Sequence, residues 1–253
     1  MRTNTWFLVR ELAWTDFKLR YNSLVLGYMW SLLHPLLVFG VLYLVFSVFL
    51  KIEGIPNYRL YLLLGIILWS YFAESTTNGM QSMQVKAGLI SKVYVPKGII
   101  LAASGITSLL TLFLNLAVFA VFWAASSARP AATAWLFPLF LLELVVLSFA
   151  LSLWLSSFYL KFRDLSHLWG VALQIGFWLT PIVYPVQAIP GRLRWLFQWN
   201  PLARIIQDAR SALLGPEMLS LGHHLVSLAM VLVALALGAA IFARRSERFA
   251  EEI

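Results

Sequence analysis

M-L-S-L-G-H-H-L-V-S-L-A-M-V-L-V-A-L-A-L-G-A-A-I-F-A, Met218 to Ala243, runs without one Asp, Glu, Lys or Arg and stops against Arg244 and Arg245. A helix crossing the ~30 Å hydrocarbon core needs about 20 such residues. The stretch is long enough for one crossing and too short for two. The pattern recurs at Tyr21 to Leu50, Leu60 to Ala73, Gly98 to Ala128, Pro130 to Leu142 and Leu165 to Gly191. Two of these are cut short by one carboxylate. Passing over Glu74 extends the second to Val85, and passing over Glu143 extends the fourth to Leu160. The expectation is an all-α, polytopic membrane protein with six transmembrane helices.

The whole chain agrees with that class. Its 253 residues are 61% hydrophobic and 12% charged, with a mean hydropathy of +0.81. Soluble domains carry roughly 25% charged residues. There is no cysteine, which excludes structural disulfides and thiolate metal sites. The net charge of +8 would suggest nucleic acid in a soluble chain. Here the positive-inside rule accounts for it, and no nucleic-acid partner is expected.

The distribution of the 19 Lys and Arg sets the orientation. With the N-terminus inside, cytoplasmic segments hold Arg2, Arg10, Lys18, Arg20, Lys86, Lys92, Lys97, Lys161, Arg163, Arg244, Arg245 and Arg248. The outside keeps Lys51, Arg59, Arg129, Arg192, Arg194, Arg204 and Arg210, four of them in one long loop where the rule is weaker. Both termini are therefore expected in the cytoplasm. The charged N-terminal segment precedes any apolar core, the wrong order for a cleavable signal.

Three segments are neither span nor simple loop. From Trp6 to Leu26, Glu11, Thr15, Lys18 and Asn22 form one narrow polar stripe on an apolar helix, and Asp16 can pair with Arg20. Such a helix lies in the membrane interface, or simply extends the first span. Pro181, Pro185 and Pro190 forbid a continuous fifth helix. Only Leu165 to Thr180 can be regular, about 24 Å of helix. Irregular backbone at that depth is tolerated only inside protein or beside water. Next, Asn200 and Pro201 read as N-cap and first helical residue, and Gly215 with Pro216 as a stop. Leu202, Ile205, Ile206, Ala209 and Leu213 then make the apolar face of an amphipathic helix on the outer side. Gly191 to Trp199 reads as a second short interfacial element, either belt aromatics or a gate.

Reactive chemistry is scarce. No phosphate-cradling G-x-x-x-x-G-K-[ST], no G-x-S-x-G and no H-E-x-x-H occurs. Adjacent His223 and His224 point about 100° apart on a helix and are expected at the interface. Glu74, in E-S-T-T-N, suits helix packing; Glu143 is either a buried hydrogen-bonding group or a proton carrier. Phe39, Tyr43 and Phe46 line one stripe, and Trp169, Leu173, Phe177 and Thr180 another. Stripes of this kind pack helices or face lipid, and they also offer sugar rings flat apolar surfaces.

One longer pattern is more specific. W-T-D-F-K-L-R-Y-N-S-L-V-L-G-Y-M-W-S-L-L-H-P-L-L, Trp14 to Leu37, resembles the opening signature of type-2 ATP-binding-cassette export permeases, which move lipid-linked polysaccharides such as O-antigen, capsule and teichoic acid. L-I-S-K-V-Y-V-P at 89 to 96, F-R-D-L-S-H-L at 162 to 168, T-P-I-V-Y-P at 180 to 185 and W-N-P-L-A-R-I-I-Q-D-A-R at 199 to 210 agree in order. Thr15, Val95 and the pair Lys97-Gly98 depart from the commoner residues.

The resemblance implies one permease domain over 1–253, with an interface helix at 1–27, a cytoplasmic coupling segment at 79–98 and an outer re-entrant gate at 181–222. It implies a homodimer in the bacterial inner membrane, docked on two separate ATPase subunits. ATP and Mg would sit on those partners, with no cofactor on this chain and no enzymatic activity of its own. The implied substrate is a polysaccharide on a lipid diphosphate; Lys18 and Arg20, at headgroup depth on the interface helix, either receive its phosphates or simply satisfy the positive-inside bias. Lys92, Val93, Tyr94 and Pro96 would meet the ATPase. A sugar path between subunits would be lined by Phe39, Tyr43 and Phe46 with Trp169, Phe177 and Thr180. Pro181, Tyr184, Pro185, Trp199, Asn200 and Pro201 would form its outer gate. A drug or small-lipid exporter of the same superfamily and a proton-coupled transporter acting through Glu143 are the alternatives.

Overall fold

The computed structural model describes residues 9–15, 18, 29–51, 55–90, 96–215 and 221–246, and among them there is helix and no strand. In chain order the helices are α1 (Met29–Tyr43), α2 (Tyr58–Val85), α3 (Ala87–Ile90), α4 (Lys97–Ala124), α5 (Phe137–Tyr159), α6 (Leu165–Leu179), α7 (Arg194–Gln198), α8 (Pro201–Leu214) and α9 (Leu221–Ser246). A π-helical stretch, Leu44–Phe49, prolongs α1, and a 3-10 turn, Ala134–Leu136, leads into α5.

Among the described residues, five helical stretches are long and apolar enough to cross a membrane: Met29–Phe49, Tyr58–Val85, Lys97–Ala124, Ala134–Tyr159 and Leu221–Ser246. They coincide with five of the expected spans. The other, at Leu165 to Gly191, contains only the 15-residue α6. Pro181 ends it, because a proline pushes the residue before it out of helical conformation. Thr180 is accordingly extended, with ψ 132°.

Helix α2 is the centre of the bundle. It packs on α4 and α5 along much of its length and meets α1, α6 and α8 over shorter stretches; α5 in turn packs on α9. Lipid is as apolar as leucine, so close approach and interhelical hydrogen bonds, not apolar burial, hold such helices together. The α2–α5 contact shows both. A Cβ on Gly79 would fall 2.3 Å from the Ser152 hydroxyl, and that hydroxyl donates to the Ser75 carbonyl at 3.3 Å. A bond of this kind is worth about 0.6 kcal/mol in a membrane. Ser148 and Ser157, also buried on α5, return their hydroxyls to carbonyls one turn back, at 2.8 and 2.7 Å, which satisfies them inside an apolar helix.

The segment at 9–15 is helical, as its composition predicts. Val9 is buried and packs with Met83, Ile100, Leu153 and Phe242, from four helices at one end of the bundle. The Thr107 hydroxyl donates to the Ala13 carbonyl at 3.4 Å, while Arg10 and Glu11 stay outward and pair at 3.2 Å. The basic end of the bundle is tied together as well. The Lys97 ammonium donates to the Ser246 carbonyl, and Arg245 donates to the Ser157 carbonyl at 3.3 Å. Asn22 of the expected polar stripe, and the expected pair Asp16 and Arg20, lie outside the described residues.

Candidate functional site

Buried backbone that leaves a helix must find hydrogen-bond donors in the protein around it. The proline-broken stretch after α6 does so with three side chains. Arg210 donates to the Pro181 carbonyl at 2.7 Å and to the Ile182 carbonyl at 2.8 Å. Tyr58 donates to Val183 at 2.9 Å and Tyr61 to Tyr184 at 3.2 Å. Four consecutive carbonyls are thus capped, two from α8 and two from α2. Their backbone is fixed to the central helix.

Arg210 is 2% exposed, and its guanidinium lies 3.7 Å over the Tyr61 ring, an arrangement that favours a cation on a π face. Gly65, one helical turn from Tyr61, makes room. A Cβ there would come within 1.7 Å of the guanidinium. Thr180 and Asn200 close the same region: the Asn200 amide donates to the Thr180 hydroxyl at 3.3 Å and its carbonyl caps α8 by accepting from the Ala203 N–H at 3.2 Å. Tyr184 donates to the Trp178 carbonyl at 2.7 Å.

The caps of α8 are those the sequence predicts: Asn200, Pro201 at the first turn, and Gly215 with φ 127°. The helix is buried on nearly every side, packed on α2, α5 and α9, so that its polar residues are not left to solvent. Its charged residues Arg204, Asp208 and Arg210 face inward, each with a partner there. Arg204 donates to the Gln198 carbonyl at 2.8 Å and the His223 carbonyl at 2.5 Å. Asp208 lies 2.8 Å from His224 Nδ1. His224 is therefore not simply interfacial, whereas His223 is exposed. Burial pushes the Asp208 carboxyl up to about 6, with His224, Arg204 and His223 opposing. Glu143 on α5 is buried within electrostatic reach of Asp208 and His224.

The residues expected along a path are placed as follows. Phe39 is buried, stacked on Tyr43 at 5.7 Å and edge-on to Phe122 at 5.9 Å. Tyr43 accepts from Arg59 Nε at 2.8 Å, and Phe46 is half-buried in the π-helical stretch. Trp169 donates its indole N–H to Thr76 at 3.1 Å, and Phe177 meets Trp69 at 5.8 Å. Thr180 is buried. Within this chain, then, Phe39 and Thr180 are interior residues, and Trp169 and Phe177 turn toward α2. The exposed faces beside them carry Leu37 and Val41 on α1, Leu44 and Val48 on its π-helical extension, and Leu168, Val171, Ile175 and Trp178 on α6.

Of the gate residues, Trp199 is exposed, and Pro185, Asn200 and Pro201 are half-buried. Lys18 is helical and exposed. Pro96 is exposed and opens α4, its carbonyl accepting from the Ile99 N–H at 2.9 Å. Lys92, Val93, Tyr94 and Arg20 lie outside the described residues. Sequence reasoning missed Arg210, Tyr58, Tyr61, Gly65 and the Asp208–His224 pair. The available signal was a need: prolines inside an apolar stretch strand carbonyls, and few side chains nearby can donate.

Over residues 8–214 the chain matches the family described as ABC-2 type transporter. It is 31% identical over 239 residues to "O-antigen export system permease protein RfbA" of Klebsiella pneumoniae, covering 93% of this chain and 91% of that one. A protein of the same description from Myxococcus xanthus is 29% identical over 249 residues, 97% of this chain and 95% of that one. "Polysialic acid transport protein KpsM" of Escherichia coli is 23% identical over 243 residues, 94% and 93% of the two chains.

Proposed function

The chain belongs to the ABC-2 type transporter family, and on that footing we propose that it is the permease subunit of an ATP-driven exporter of lipid-linked polysaccharide, O-antigen being the favoured cargo. The observation that carries this is the near end-to-end similarity to permeases named for O-antigen export. The working assembly is a homodimer in the inner membrane with two ATPase subunits, which supply the nucleotide chemistry for which this sequence has no phosphate-binding loop. Both termini face the cytoplasm, and α6 with the capped stretch after it serves as the sixth crossing, with α7 and α8 as re-entrant helices.

The path runs between α1 and α6 of two copies, whose exposed apolar faces are otherwise left to lipid. The carbonyl clamp decides which parts move. Freeing residues 181–184 from Arg210, Tyr58 and Tyr61 would strand buried acceptors at about 1–3 kcal/mol each. Those residues, α2 and α8 therefore stay together. Opening belongs to α1 and α6, lightly packed on α2, and to the loop from Pro185 to Trp199. Lys18 and Arg20 meet the diphosphate, since charge-assisted bonds to phosphate exceed neutral ones. The segment from Lys86 to Gly98 transmits ATPase movement.

Purification from native membranes tests this. The chain should carry a soluble ATPase subunit in equal amount, with ATP hydrolysis stimulated by lipid-linked glycan. A chain that purifies free of any ATPase under gentle detergent contradicts the proposal.

A further inference from the structure

Glu143 of α5, Asp208 of α8 and His224 of α9 meet where these three helices touch. Asp208 Oδ2 lies 2.8 Å from His224 Nδ1, and Glu143 stands within electrostatic reach of both. The helix register agrees. Helices α5 and α9 run side by side in one direction, with Phe140 against the His224 ring at 5.4 Å between centroids and Ala150 against Gly238. One turn past Phe140 and His224 come Glu143 and Ser227, both buried. Asp208 Oδ1, His224 Nε2 and the Ser227 hydroxyl are buried with no hydrogen-bond partner among the described residues. Buried polar atoms are nearly always paired, so three left over at one junction point to a small polar ligand.

Charge decides which ligand. Arg204, one turn before Asp208 on α8, and His223, at the start of α9, are the other ionisable groups that act on Asp208. Arg204 is buried and His223 exposed. Arg210, on the opposite face of α8, acts on Tyr58 and Tyr61 instead. With both carboxylates ionised and His224 neutral, the described residues leave the buried cluster of Arg204, Asp208, Glu143 and His224 one negative charge in excess, which is costly away from water. One added proton cancels it. That proton can sit on His224 or on either carboxyl, and groups so closely coupled titrate as a unit.

We propose that Glu143, Asp208 and His224 form a proton-binding site holding one shared proton, which completes the contact of α8 with α5 and α9. The Asp208 carboxyl, pushed up to about 6 by burial, agrees with such a site. Because α8 also carries Arg210, the proton helps to seat the helix that caps the stretch after α6. The inference concerns the seating of α8 and stands whatever the cargo.

Replacing His224 forces the choice of carrier. In His224→Gln at about pH 7, where ordinary carboxyls are ionised, the proton must rest on a carboxyl. Infrared spectra of the full chain in lipid nanodiscs should then contain the carbonyl stretch of a protonated carboxyl. Adding Glu143→Gln, or separately Asp208→Asn, removes the excess charge and should lower that band by the signal of one carboxyl group. A band absent from His224→Gln, or unchanged by both additions, overturns the site. If His224→Gln does not fold, a chain with His34, His167 and His223 replaced by Gln keeps His224 as its one histidine. Ring-nitrogen NMR at the same pH then reads its charge. A cationic His224, or a carboxyl signal lost in Glu143→Gln and in Asp208→Asn, supports the shared proton. A neutral His224 with no such signal overturns it.

Discussion

Arg210 of α8 lies with its guanidinium 3.7 Å over the ring of Tyr61 on α2 while donating both terminal nitrogens to the carbonyls of Pro181 and Ile182. One side chain thus joins the central helix α2, the buried helix α8 and the proline break. Only a planar fork can reach two carbonyls and an aromatic face together, so lysine is not equivalent here.

Arg210→Ala should strand two buried carbonyls and cost about 1–3 kcal/mol for each. Arg210→Lys should recover part of that. Gly65→Ala should cost about 1–3 kcal/mol through overpacking against the guanidinium. Thermal unfolding in detergent checks the order wild type, Arg210→Lys, Arg210→Ala. A Gly65→Ala protein as stable as wild type would contradict the geometry.

The Asp208 carboxyl, raised to about 6 by burial, titrates near 3.9 when unfolded. As pH falls through about 6 the folded chain takes this proton before the unfolded chain does. The group's contribution to stability is therefore greatest below about pH 4 and is lost as pH rises through about 6. Asp208→Asn removes that slope. Unfolding midpoints from about pH 4.5 to 7.5 should show wild type falling relative to the variant as pH rises; parallel curves exclude the assignment.

Tyr94→Ala, in the segment given the ATPase contact, should uncouple export from hydrolysis. Glycan export should drop about tenfold while ATPase rate and dimer assembly change little. A cysteine at position 92 labelled only from the outside would reverse the orientation and remove the contact.

Lys18→Gln with Arg20→Gln should slow export several-fold at unchanged protein level if those cations receive the diphosphate. Wild-type export by the double variant assigns them to the positive-inside bias alone.

The spans were legible because lipid forbids charge over about 20 residues, and the breaks in charge-free sequence at Arg244 or Lys51 are plain to read. The early end of α6 was legible from Pro181. The burial of α8 was not. Arg204 and Arg210 entered the sequence reading only as outside charges and Asp208 not at all, because periodicity marks an apolar face and is silent on the partners, carbonyls and a histidine elsewhere in the chain, that draw polar residues inward. Glu143 was read as a buried hydrogen-bonding group or a proton carrier; that it meets Asp208 and His224 depends on how α5, α8 and α9 pack, which no local pattern encodes.

Deleting the gene for this chain in its host, and following the lipid-linked polysaccharide, tests the central claim most directly. Complete chains should accumulate on the inner membrane while surface polysaccharide disappears, and a plasmid copy of the wild-type chain should restore it. Undiminished surface polysaccharide in the deletion strain would contradict the account.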